Sequence, residues 1–407
     1  VISNVRPQPR RWLLLGPAFV AAIAYVDPGN VAANVSAGAQ FGFLLVWVIV
    51  VANLMACLVQ YLSAKLGLVT GRSLPEAVGA RMGRRARLSF WVQAELVAMA
   101  TDLAEVVGGA IALYLLFDLP LLVGGVITGV VSLVLLLVKD RRGQRMFERV
   151  ITGLLMVIAV GFLTSLFASP PPVADAAEGL IPRFDGAESI LLAAAMLGAT
   201  VMPHAVYLHS GLARDRHGHP APGPERRALL RITRWDVGIA MLVAGAVNLS
   251  MLLVAAANLQ GMDDTDSIEG AHAAVETTLG STVALLFAIG LLASGLASSS
   301  VGAYAGAMIM QGLLRRSVPL LARRLITLLP ALAILAIGID PSRALVLSQV
   351  VLSFGIPFAL IPLVRLTADR GLMGVDVNHR VTTLLGWVVA GLITALNIVL
   401  IYLTVWG

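Results

Sequence analysis

At 407 residues and 42.7 kDa the chain is long enough for two or three soluble domains, but 58% of it is hydrophobic and only 13% charged. That is roughly half the ~25% charge of soluble domains, which excludes a soluble reading. The net charge of +6 is spread over short loops between apolar runs rather than gathered in a patch or tail; it reflects membrane topology and excludes nucleic acid as a partner.

From Trp12 to Ser63 the only charged residue is Asp27, and further charge-free runs cover 119–138, 150–174, 189–213, 237–262, 277–314, 344–364 and 381–407. A span needs about 20 apolar residues. The pattern predicts eleven helices, at roughly 12–38, 43–66, 88–116, 120–138, 147–168, 188–211, 232–257, 280–312, 318–338, 344–366 and 382–405, with an amphipathic segment near 270–279 outside the bilayer. The first apolar run continues through Asp27 without a small-residue cleavage site, so no cleavable signal peptide is expected. The lone Cys57 lies in a span and has no partner for an internal disulfide.

Charge sets the orientation. With the amino terminus cytoplasmic, the inner segments are the start and the loops near 67–87, 139–146, 212–231, 313–317 and 367–381, and of the 29 Lys and Arg only Arg183 and Arg343 fall outside. The outer loops collect acids instead, among them Asp175, Glu178, Asp185, Asp263, Asp264, Asp266 and Glu269. Basic asymmetry of this kind orients a membrane protein. The expectation is an integral plasma (inner) membrane protein with its carboxyl end outside.

Two spans are interrupted alike. The first reads Ala24-Tyr25-Val26-Asp27-Pro28-Gly29-Asn30 and the sixth Gly198-Ala199-Thr200-Val201-Met202-Pro203-His204. Proline removes a backbone donor and clashes with the preceding turn. Unwound backbone at membrane depth is tolerated only where it is buried in protein or lines a cavity. The breaks are five helices apart and so cross the bilayer in opposite directions, as an inverted five-plus-five repeat requires, with a binding site at the midplane.

An ionisable group at mid-membrane costs ~2.5–3.5 kcal/mol on insertion scales, so Asp27 usually has a function. Asn30 adds an amide oxygen, and the carbonyl end of the first half-helix, around Ala24, adds backbone oxygens and a negative dipole end. Such a cluster attracts a cation. A Met202 sulfur turns the preference from calcium or magnesium, which take oxygen shells, towards manganese, iron or a similar ion. The plainer alternatives are a capping or core acid at Asp27, a gap-filling Met202 and hydrogen-bonded structural histidines. His204 suits proton handling better than direct ligation, since imidazole titrates near neutrality. His209 lies five residues further towards the inner end.

On the third helix Glu95, Asp102 and Glu105 stand seven and three apart and share one face. Three membrane carboxylates need partners, water or protons, and they suit a chain of proton sites. Arg323 and Arg324 of the ninth helix are the evident partners; the alternative is a structural salt-bridge network. The serine run 298–300 reads as small-residue helix packing.

Asp27-Pro28-Gly29-Asn30 together with Met202-Pro203-His204 resembles the Nramp family of proton-coupled divalent metal transporters, in its bacterial manganese branch. The strings Gln93-Ala94-Glu95-Leu96, Thr101-Asp102-Leu103-Ala104-Glu105 and Tyr207-Leu208-His209-Ser210 look the same. One departure is Ala205, where many relatives have Asn. The resemblance implies an all-α, leucine-transporter-like fold with the first and sixth helices unwound. It implies repeats over 12–168 and 188–366, a further helix at 382–405, and one transmembrane domain over 1–407. The metal ligands it implies are Asp27, Asn30, Met202, the Ala24 or Ala199 carbonyl, and Gln349 on approach to an occluded state. It also implies a proton route through Asp27, His204, Glu105, Asp102, Glu95, Arg323, Arg324 and His209. The expected function is proton-coupled import of manganese or iron, and of cadmium, by a monomer with no permanent cofactor. An organic-substrate carrier of the same fold is the alternative, although Asp27 would repel a substrate carboxylate. An intramembrane enzyme is disfavoured: there is no HExxH pair, and the Ser294 neighbourhood lacks a nucleophile motif. ATP drive is disfavoured by the lack of a phosphate-binding loop.

Overall fold

The computed structural model describes residues 16–262, 265, 267–314 and 320–406. Every regular element among them is helical. The order is α1 (Pro17–Ile23), α2 (Pro28–Phe41), α3 (Val46–Thr70), α4 (Leu74–Arg81), α5 (Arg84–Phe117), α6 (Leu121–Arg142), α7 (Gln144–Ala168), α8 (Val173–Glu178), α9 (Gly186–Thr200), α10 (Pro203–His217), α11 (Pro224–Asn258), α12 (Ile268–Leu279), α13 (Ser281–Leu314), α14 (Leu320–Ile337), α15 (Pro341–Ala368), α16 (Arg370–Met373) and α17 (Arg380–Trp406).

Among the described residues, eight runs are long and apolar enough to cross a membrane, with α2–α3 and α9–α10 each taken as one, and Leu121–Leu137 of α6 is a shorter apolar stretch. The predicted segments fall on α1–α3, α5–α7, α9–α11, α13–α15 and α17, with differences at their ends, although α1 and α14 are not among those runs. Residues 12–15 of the first segment, the outer acids Asp263, Asp264 and Asp266, and Arg315 and Arg316 of the 313–317 loop lie outside the described residues. The predicted inner loop at 67–87 folds in part as α4, because the Glu76 carboxylate accepts from the Ser73 N–H at 2.8 Å and Pro75 sits in the first turn. Pro224 starts α11 eight residues before the predicted 232. The amphipathic segment is α12, begun by Ser267 accepting from the Gly270 N–H.

Lipid tails are as apolar as leucine, so tight packing at small residues and buried polar links hold such a bundle together. Gly109 of α5 and Gly295 of α13 meet so closely that a Cβ on Gly295 would lie 2.9 Å from the Gly109 Cα. By contrast, α17 buries a single strip, Val389, Ala390, Ile393 and Asn397, and leaves Leu384, Leu392 and Ile398 exposed to lipid. The carboxylates of α5 explain its interior place: Asp102 and Glu105 are at most 2% exposed, where charge finds partners that lipid does not offer.

Candidate metal centre

The first break follows from Pro28. The chain tightens into i→i+3 hydrogen bonds, Ala24 N–H to Ala21 O at 3.2 Å, Tyr25 to Ala22 at 2.9 Å and Val26 to Ile23 at 3.1 Å. Asp27 is then extended and caps α2. The residue four beyond Ala24 is Pro28, which brings no N–H to the Ala24 carbonyl. The second break obeys the same rule. Pro203, four beyond Ala199, leaves the Ala199 carbonyl without its helical donor, and only Val201 and Met202 separate α9 from α10.

Asn30 joins the two breaks. Its Nδ2 donates to Asp27 Oδ1 at 2.7 Å and to the Ala199 carbonyl at 3.0 Å, while its backbone N–H donates to the same Asp27 oxygen at 2.8 Å. Gln349 of α15 completes the group. Its side chain fills the space a Cβ on Gly29 would need, and its carbonyl does the same at Gly198. Three oxygens gathered there, Asp27 Oδ2, Asn30 Oδ1 and Gln349 Oε1, are buried and accept no hydrogen bond from any described residue. Met202, also 0% exposed, caps the start of α10 three residues past Ala199. Buried polar groups are normally satisfied, and leaving one bare costs about 1–3 kcal/mol. A carboxylate, amide oxygens, carbonyls freed by proline and a thioether are the donor types that a borderline transition-metal ion takes. Among the described residues no group of three His, Cys, Asp or Glu side chains is placed to hold a metal; here only Asp27 is of those types.

The carboxylates of α5 divide into a paired set and a bare one. Asp102 Oδ1 accepts from Arg324 Nη1 at 2.6 Å, and Arg324 Nη2 also donates to Ser132 Oγ at 2.8 Å and to Ser299. Ser299 thus binds a guanidinium rather than serving only as a small packing residue, because α13 turns it towards the buried arginine. Arg323 donates to the Ala303 carbonyl at 3.2 Å and to Glu95 Oε1 at 3.4 Å, in a space where a Cβ on Gly306 would overlap the guanidinium. Glu105, 1% exposed, accepts no hydrogen bond from a described residue. Its neighbours are Gly302, and Gly108 against Pro28 a turn away, so it stands beside the first break. His204 Nδ1 and Thr101 Oγ1 share a hydrogen bond of 3.3 Å, and His204 Nε2 is unpartnered among the described residues. His209 belongs to another network: its Nδ1 meets Gln60 Oε1 at 2.7 Å, and Gln60 Nε2 donates to the Tyr25 hydroxyl at 2.5 Å.

Sequence reasoning missed the residues that hold the first break open. Asn248 Nδ2 donates to the Tyr25 carbonyl at 2.7 Å and Ser294 Oγ to the Val26 carbonyl at 2.6 Å. Asp236 accepts from the Gly16 and Ala18 N–H groups, both at 3.1 Å, and so anchors the start of α1. An amide in the middle of the charge-free run 237–262, ten residues before the next, was the available sign for Asn248. Nothing in sequence links Ser294 to a chain segment 268 residues away.

The chain as a whole is similar to known proteins. A family model described as Natural resistance-associated macrophage protein-like matches residues 18–403. The Divalent metal cation transporter MntH of Mycobacterium tuberculosis (strain ATCC 25618 / H37Rv) is 74% identical over 396 residues, 97% of this chain and 92% of that one. The crystal structure of the Eremococcus coleocola manganese transporter with an aromatic bis-isothiourea substituted compound has a TM-score of 0.86 at 32% identity, covering 98% of this chain and 90% of that one. A nucleobase-cation-symport-1 family transporter in a closed conformation shares the fold alone, with a TM-score of 0.61 at 14% identity over 96% of this chain and 91% of that one. The fold is leucine-transporter-like, an all-α membrane bundle with its first and sixth helices broken, and the chain belongs to the Nramp (natural resistance-associated macrophage protein-like) family.

Proposed function

We propose that this protein is a proton-coupled secondary transporter that imports divalent transition metals, manganese or iron and also cadmium, by alternating access. The reading rests on one observation above all: Asp27 Oδ2, Asn30 Oδ1 and Gln349 Oε1 lie buried and unpartnered among the described residues, at the meeting of the two breaks. The ligands are Asp27, Asn30, Met202, Gln349 and the Ala24 or Ala199 carbonyl according to state. All of these are 0% exposed, as an occluded cargo requires. Protons pass by Asp27, His204 and Glu105 to Asp102 and Glu95, with Arg323 and Arg324 as counter-charges and His209 at the inner end. One charge moved through 100 mV is worth ~2.3 kcal/mol, enough to drive accumulation. The bundle comprises eleven spans in one domain, with repeats over 12–168 and 188–366 and a further helix at 382–405. It works as a monomer in the plasma (inner) membrane, with the amino terminus cytoplasmic and the carboxyl terminus outside.

The test is uptake into proteoliposomes of manganese, iron, cadmium and calcium in parallel, with internal pH recorded. Saturable uptake of the first three with acidification of the interior is expected. Ohmic conductance, or amino-acid uptake without manganese uptake, would overturn the reading.

A further inference from the structure

We propose that the chain carries a site for one amine-headed phospholipid, phosphatidylethanolamine in kind, where α3, α9 and α17 meet beside the α7–α9 connection. Two cavities adjoin there. The first is an apolar groove of about 250 Å³ between Val51 and Met55 of α3 and Leu396 of α17, backed by Ala193 and Leu197 of α9. The second is a polar pocket of about 340 Å³ that includes Asp175, Glu178, Arg183 and Asp185. Trp47 and Phe184 join them. Both line the groove, their rings meet edge to face at 5.4 Å, and the Trp47 indole N–H donates at 3.3 Å to the carbonyl of Arg183 in the polar pocket. Such aromatic pairs sit at the level of lipid headgroups.

The surroundings and the charge identify the occupant. The groove opens on a lipid-facing surface, where Leu54 is 65% and Leu392 54% exposed, so an acyl chain is the apolar body at hand. Above it, three carboxylates face one guanidinium, and Arg183 already pairs with Glu178 at 2.9 Å. The excess negative charge calls for a cation that donates hydrogen bonds, which a primary ammonium does. Arg183 is the one cation lining that pocket and meets the phosphate. Phosphatidylglycerol brings no amine and a net negative charge that the carboxylates repel; phosphatidylcholine brings a quaternary amine with no N–H. The groove is backed by α9, the outer half of the second broken helix, so the lipid braces an element that leads directly to Met202.

The experiment is native mass spectrometry of the full chain taken from nanodiscs of equimolar phosphatidylethanolamine and phosphatidylglycerol. One retained phosphatidylethanolamine per chain is expected. Ala395→Trp, on the exposed rim of the groove, removes that adduct. The triple change Asp175→Asn, Glu178→Gln, Asp185→Asn keeps a lipid but loses the preference between the two headgroups. Melting temperature confirms that both variants fold, and Val51→Trp is the replacement if Ala395→Trp does not. Equal retention of both lipids by the unaltered chain, an undiminished adduct in the folded tryptophan variant, or a second copy of the chain in place of lipid would overturn the proposal. The readout is lipid retention, so it stands or fails independently of metal transport.

Discussion

Asp27 is the only candidate ligand in the centre with a formal charge, and one of its oxygens is already committed to Asn30. Asp27→Ala removes the charge that offsets ion dehydration, and manganese uptake should fall to the level of empty liposomes. Met202 differs in kind, because the sulfur adds discrimination rather than charge. Met202→Ala should therefore retain part of the manganese uptake while admitting calcium or magnesium; continued exclusion of calcium in competition assays would sink the idea of a sulfur filter. Glu105 is the bare carboxylate beside the break. Glu105→Gln keeps its shape but not its charge, so proton influx per metal should drop while manganese affinity changes little, read from pH-dye and isotope uptake in the same vesicles.

At the scale of the element, the two prolines decide which carbonyls lose their helical donors. Pro203→Ala would return an N–H to α10 in position to reclaim the Ala199 carbonyl from Asn30. One hydrogen bond nets roughly 1 kcal/mol, so manganese affinity should weaken by about 5-fold, measured by titration calorimetry. The α5–α14 contact obeys a different rule. Arg324 and Asp102 pair at 2.6 Å, both 2% exposed at the side chain. Removing one partner of such a pair strands the other charge at a cost of roughly 3–5 kcal/mol. Arg324→Met should lower the melting temperature sharply, and adding Asp102→Asn should restore much of it.

Across the whole molecule, the connection between α15 and α17 is fastened to three other elements on one face. Arg81 of α4 pairs with Asp369 at 2.6 Å, Arg226 of α11 with Asp376 at 3.1 Å, and Lys65 of α3 donates to Asn378 at 2.8 Å. The hydrogen bond from Arg81 holds the Asp369 carboxyl below its usual range. A lowered folded-state value means that the Arg81–Asp369 pair is fully present above the ordinary carboxylate pKa and is lost as pH falls through the lowered one. Hydrogen exchange over 369–373 should therefore be unchanged between about pH 5 and 7 once corrected for intrinsic rates, whatever protons do at Glu105.

Covalent and local rules were enough to read much of this from sequence. Charge-free runs fixed which segments enter lipid, because no solvent there satisfies an ionised side chain. Pro28 and Pro203 fixed where two helices break and which carbonyls lose their donors, because a missing N–H acts within one turn. The tertiary structure decided what those local facts could not. It brought Asn30 across to Ala199 and Gln349 onto Gly29, set Asn248 and Ser294 on the carbonyls of the first break, and gave Glu95 to Arg323 but Asp102 to Arg324. These contacts join residues as far apart in the chain as Gly29 and Gln349. Their partners depend on how whole helices rotate and close against one another at glycines, which no short stretch of chain encodes.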